Sequence, residues 1–108
     1  AYHVRLHLAD RSLVFEIVYA SGKPCRRILL ALTPFRRIVK DYFLIVETYN
    51  AAIGGAQPAR LETLDMGRRG LHNEGAQLLM DELDGKVALD FATARRLFTL
   101  LCVLHMRN

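Results

Sequence analysis

The chain has no tryptophan, only two cysteines and three prolines, and just three lysines among its 108 residues. Cys25 and Cys102 form no CxxC pair, and two thiols are a poor disulfide framework for a domain of this size, so a reducing compartment, the cytoplasm, is expected. With 8% aromatics and no indole, the stacking platforms that single-stranded nucleic acid binders rely on have little to draw on. The longest apolar run, "LFTLLCVLHM", is interrupted by Thr99 and His105 and falls well short of the ~20 residues a membrane-crossing helix needs, so no membrane span is expected. Several catalytic signatures are also missing. "LHNE" does not complete HExxH, no GxGxxG follows a strand, and neither GxxxxGK[ST] nor GxSxG occurs. No low-complexity tract or internal repeat divides the chain, which reads as a single domain over residues 1–108.

Arginine takes the place that lysine leaves. Twelve arginines give a net charge of +4 and a pI near 9.4, with doublets at 26/27, 36/37, 68/69 and 95/96. A guanidinium meets phosphate or carboxylate through two parallel hydrogen bonds, whereas an ammonium is a point charge. Doublets on an amphipathic helix are also ordinary solvated flank, and charge gathered on one face with interleaved aromatics, the mark of a nucleic-acid module, is not evident here.

The apolar pattern predicts an α+β fold, a three-stranded antiparallel β-meander packed against three α-helices. Residues 2–8 alternate strictly, with Tyr2, Val4, Leu6 and Leu8 on one side and His3, Arg5 and His7 on the other. "ADRS" turns this strand into "LVFEIVYA", with Leu13, Phe15, Ile17 and Tyr19 inward, and "SGKP" turns again into "RRILLAL". Thr33 and Pro34 read as cap and first residue of a helix that stops at Gly54-Gly55. Phe35, Ile38, Val39, Tyr42, Ile45, Val46, Tyr49 and Ile53 share its inner arc, and Leu44 alone falls on the polar side. A second helix is expected from Pro58 to about Leu83 and a third, capped by Asp90 or Thr93, to about Met106. "KVALDF" between them is a candidate short strand over 86–90 or an extended arm. His105 is placed within the buried stripe of the third helix, with Ala94, Leu97, Phe98, Leu101 and Leu104. Val14, Val18 and part of "ILLAL" would load the far sheet face with apolar surface, so a homodimer or a covering N-terminal segment is expected.

"DMGRRGLHNEG", Asp65 to Gly75, is the most specific stretch. Leu61, Leu64, Leu71, Leu78 and Leu79 stay in helical phase across it, although Gly67, Gly70 and Gly75 each cost a helix interior ~1 kcal/mol relative to alanine. Asp65, Arg68 and His72 project toward the apolar side, where a charge must be paired. Two readings remain open. One is a structural polar cluster of Asp65, Arg68, His72 and His105. The other is an anion patch of Arg68, Arg69 and His72 over the backbone of Gly67 and Gly70. No catalytic residue and no cofactor is assigned. His72 and Glu74 are conceivable as acid and base, and His72, Glu74, His105 and Cys102 as metal ligands, but without any recognised spacing, so no metal is assigned either.

The segments "TPFRRIVKDYFLIVETYNAAI", "LDMGRRGLHNEGAQLL" and "VALDFATARRLFTLLCVLH" together resemble an uncharacterised protein family of alphaproteobacteria, number 262 of the UPF series. The resemblance covers most of the chain from Leu29 onward. It implies a bacterial protein with about fifty native residues ahead of Ala1, and it carries no activity, cofactor or catalytic residue. The function expected from the sequence is a non-catalytic interaction or assembly module working with itself or a protein partner. The alternative is anion or nucleic-acid binding through residues 65–75, with a nucleic acid or phosphate partner less favoured.

Overall fold

Strict alternation needs a sheet with one dry face, and the chain builds one at once. The structure is a computed structural model and describes residues 2–55 and 57–106. β1 (Tyr2–Ala9), β2 (Ser12–Tyr19) and β3 (Pro24–Ala31) form an antiparallel meander in the order β1-β2-β3. The first hairpin closes on Asp10 and Arg11, with Asp10 at φ +55°, a left-handed conformation that a short polar side chain tolerates. Gly22, at φ +91°, supplies the same freedom in the second turn. Register pairs Leu8 with Leu13, Leu6 with Phe15 and Val4 with Ile17, and then Leu13 with Leu30 and Phe15 with Ile28. These residues share the core face, as the alternation predicts, but the end of that face is open: Val4 is 57% exposed, and Tyr19, expected inward, is 44% exposed because the packed helices do not reach it. The inward side chain expected at Tyr2 lies outside the described side chains.

The far face differs from expectation. Val14 and Val18 are buried although they lie outside the main core cluster, and Leu29 is the exposed large apolar residue there. Both valines belong to the central strand. Register sets Val14 between His7 and Leu29, and Val18 beside His3 and Pro24, so neighbours in the same row shield them. Glu16 sits between Arg5 and Arg27 in the same way. This face is a mixed charged surface, and the apolar area expected on it is largely closed.

Thr33–Phe35 form a single 3-10 turn that leads into α1 (Arg36–Ala52). Thr33 makes no capping hydrogen bond. The tight turn, with Pro34 in its first positions, takes over the role assigned to a Thr cap, and Phe35 becomes the N-cap of α1 and a buried anchor. α2 (Pro58–Glu82) runs unbroken through its glycines, and α3 (Phe91–Met106) closes the chain. Asp90 Oδ1 accepts the Thr93 N–H at 2.7 Å, so Asp90 is the cap of α3. Residues 86–90 form no strand; Lys86 closes the turn after α2, and the arm that follows packs Val87 and Leu89 against the core.

The core gathers Leu13, Phe15, Ile28 and Leu30 of the sheet, Phe35, Ile38 and Val39 at the start of α1, Leu79 and Leu83 at the end of α2, and Phe98, Leu101 and Cys102 of α3. The expected inner arc of α1 therefore divides. Ile38 and Val39 are buried, Ile45, Val46 and Tyr49 are half-buried against α2, and Ile53 is exposed. At 25 residues α2 is roughly 37 Å long, more than the sheet can cover, so its first half pairs with α1 as a projecting helical hairpin. The dimensions of 53 × 27 × 24 Å and a radius of gyration of 16.1 Å reflect that projection; a compact chain of this length would have about 13 Å.

Candidate functional site

Where α2 crosses from the projecting hairpin to the body, its sequence changes from leucine and alanine to the glycine-arginine stretch. Two of the three glycines are explained by what passes over them. A Cβ on Gly75 would overlap the ring of Phe98, and one on Gly67 would meet Ile45 Cδ1 at 2.5 Å. Gly75 thus lets α3 approach α2, and Gly67 lets α1 do so. Gly70 faces open space.

Asp65 organises the arginines. Its Oδ1 accepts from Arg68 Nη2 at 2.6 Å and from Nε at 3.2 Å, while Oδ2 is 3.1 Å from Arg69 Nε. One carboxylate therefore serves two guanidiniums. The hydrogen bond from Arg68, reinforced by the charge of Arg69, holds the Asp65 carboxyl below the usual carboxylate range. Arg68 is held above its ordinary value by the same bond to Asp65 and, to a lesser degree, by Tyr42 of α1. Arg68 is one-third exposed at 33%, and Arg69 more so at 56%.

His72, one turn on, does not join this cluster. It is 7% exposed, with its ring held between Tyr42 of α1 and Phe98 of α3 at centroid distances of 5.7 and 5.3 Å. Nε2 lies 2.8 Å from Thr99 Oγ1, and Thr99 passes its own hydroxyl proton to the Arg95 carbonyl at 3.2 Å. Nδ1 is buried, with no hydrogen-bond partner among the described residues. Burial, followed by the charges of Arg95 and Arg68, pushes the His72 pKa below its ordinary value.

Of the residues singled out from sequence, the structure brings Asp65, Arg68 and Arg69 together, places His72 on a separate contact, and leaves Gly67 beneath Ile45 and Gly70 open. His105 corrects the expectation most clearly. It is exposed, because the last turns of α3 run past the core and only Leu101, Cys102 and, partly, Leu104 face inward. Glu74 points away from His72, as positions two apart on a helix do, and accepts instead from Arg37 Nη2 at 3.1 Å. Among the described residues, no three His, Cys, Asp or Glu side chains converge on one point.

Two features were not anticipated from sequence. The first is a cleft of about 270 Å³ between the core face of the sheet and α3, bounded by Val4, Phe15, Ile17, the arm residues Val87 and Leu89, and Leu100. The polar residue in its wall is Thr93. Its rim is open, with Val4 57% and Leu100 46% exposed. The second is a shallow depression of about 390 Å³ lined by His72, Ala92, Arg95, Arg96 and Thr99. Its signal in the sequence is Thr99 breaking an apolar run one helical turn beyond an arginine doublet.

A short meander carrying a projecting helical hairpin and a terminal helix defines a small α+β domain with an apolar cleft on one flank and clustered arginines on α2 and α3. The chain belongs to UPF0262, an uncharacterised protein family whose model matches residues 1–107. It is 57% identical over 107 residues to a UPF0262 protein of Chelativorans sp. (strain BNC1), 58% to one of Rhizobium meliloti (strain 1021) and 55% to one of Agrobacterium fabrum (strain C58). Each comparison covers 99% of this chain, with 66% of the Chelativorans protein and 68% of the other two, so the chain spans about two thirds of their length. No solved structure matches the chain. Among the described residues, no helix is long and apolar enough to cross a membrane.

Proposed function

We propose that the chain is a non-catalytic assembly module that associates through the cleft between the sheet and α3, with a second copy of itself as the occupant. The cleft is the observation that carries this reading. Sites that act on small polar substrates combine apolar walls with several convergent polar groups, whereas this wall is apolar but for one residue, Thr93. An apolar recess with an exposed apolar rim suits a side-chain anchor supplied by another polypeptide. An isologous contact would bring Val4 and Leu100 of each copy against the cleft of the other, covering both exposed rims with one interaction.

Sedimentation at micromolar concentration tests the proposal. The wild-type chain is expected to run as a dimer and Leu100→Glu as a monomer of unchanged circular dichroism. Because an apolar contact responds little to ionic strength, raising salt should leave the dimer in place. A wild-type chain that sediments as a monomer across that range would overturn the reading.

A further inference from the structure

We propose a second site on this chain, the depression between α2 and α3, which takes the phosphate group of a phosphate monoester. Ala92, Arg95, Arg96 and Thr99 stand at i, i+3, i+4 and i+7 and so form one stripe of α3, and His72 of α2 closes the depression opposite them. The stripe is separate from the rest of the helix. Ala94, Phe98 and Leu101 face the core, and Thr93, Leu97 and Leu100 face the apolar cleft, which leaves this flank for different work. It is therefore independent of the assembly reading.

The charge balance distinguishes this depression from the other arginine sites. Arg37 is paired with Asp41 and Glu74, and Arg68 and Arg69 share Asp65. Two arginines of the described chain are half-buried, Arg68 and Arg95. Arg68 has its carboxylate, but Arg95 lies within 4 Å of none among the described residues. α3 itself carries no acidic residue, and Asp90, its cap, is committed to the Thr93 N–H and feels the charge of Arg96 rather than of Arg95. A half-buried guanidinium without a counter-ion sits beside a second guanidinium, and the Thr99 side chain and the His72 ring, bonded to each other, complete the wall. A phosphate monoester brings between one and two negative charges and three acceptor oxygens, which matches two arginine forks more fully than a planar, singly charged carboxylate does. Ala92, with no long side chain, leaves the floor of the depression clear.

The test is an NMR titration of the intact chain at constant ionic strength and pH, with phenyl phosphate, inorganic phosphate and acetate as probes. Saturable shifts confined to Ala92, Arg95, Arg96, Thr99 and the His72 ring, stronger with phenyl phosphate than with acetate, are expected. Removing one charged hydrogen-bonding partner should weaken binding by about tenfold or more, so Arg95→Gln is expected to shift the phenyl phosphate midpoint by at least that factor. If that variant fails to fold, Arg96→Gln, at an exposed position, is expected to give a loss of the same direction. The proposal is overturned by an absence of saturable shifts at these residues, by acetate binding as well as phenyl phosphate, by shifts spread equally over the arginine doublets, or by phosphate affinity unchanged in the folded variants. Inorganic phosphate binding alone, with phenyl phosphate excluded, would overturn the monoester assignment.

Discussion

Gly75 of α2 and Phe98 of α3 are in a contact that only glycine permits, since the space a β-carbon would need is filled by the Phe98 ring. Phe98 is fully buried and also packs against His72 and Tyr42. One missing methyl group thus sets how closely two helices meet and where three rings come edge to face.

Substitution of the α2 glycines by alanine should separate three cases. Gly75→Ala gains roughly 1 kcal/mol of helix propensity but forces a fully packed aromatic ring to move, an overpacking cost of about 1–3 kcal/mol with little room to relax, so a net loss of stability is expected. Gly70→Ala meets open space and should stabilise by about 0.5–1 kcal/mol. Gly67→Ala presses only on the flexible end of Ile45 and should fall between the two. Urea midpoints of the three variants give the order.

Asp65→Asn should lower stability at neutral pH by leaving two guanidiniums with a neutral partner. The folded-state pKa of Asp65 lies below its ordinary value of 3.8, chiefly through the hydrogen bond from Arg68, so its stabilising effect is present above about pH 4 and disappears as the pH falls through the folded value. The difference in urea midpoint between wild type and variant is expected to be largest near neutrality and to close in strong acid. A difference independent of pH would mean the carboxylate charge is not what holds the arginines.

His72 predicts a separate, milder pH effect. Its folded-state pKa lies below 6.5 because burial, then Arg95 and Arg68, disfavour the imidazolium; the other groups facing the ring are Tyr42, Phe98 and Thr99. The unfolded chain therefore binds the proton more readily. Stability is greatest above pH 6.5 and declines as pH falls from there through the folded value. An NMR titration of the His72 ring should show a midpoint below the ordinary histidine value, and Arg95→Gln should move it upward.

The two thiols should react differently. Cys25 is exposed on β3, whereas burial pushes the Cys102 thiol up to about 12. A thiol reagent at pH 8 is expected to modify one cysteine in the native chain and both after denaturation. Modification of Cys102 at the same rate as Cys25 would show that α3 opens readily.

Much of the fold was legible because its causes are local. The alternation of Val4, Leu6 and Leu8, and of Leu13, Phe15 and Ile17, requires a sheet with one apolar face, and the leucine phase from Leu61 to Leu79 identifies one long helix in spite of its glycines. The i, i+3 and i, i+4 spacing likewise brings Asp65 within reach of Arg68 and Arg69 before any packing is known. The partner of His72 was not legible in the same way. Helical spacing offered Arg68 and Asp65, but the neighbour that bonds it is Thr99, 27 residues later, delivered by the docking of α3.

What the sequence determined by itself was the order and type of its elements, the inward phase of α2 and the pairing of Asp65 with its arginines, because periodicity and short-range contact act within a few turns of one backbone. What only the tertiary structure decided was which glycine lies under which side chain, that His105 is exposed while Val14 is shielded, and that a cleft and an arginine-lined depression lie on two flanks of α3. Those outcomes depend on the length of α2 relative to the sheet and on the approach of Phe98 to Gly75, relations between elements that no local pattern encodes.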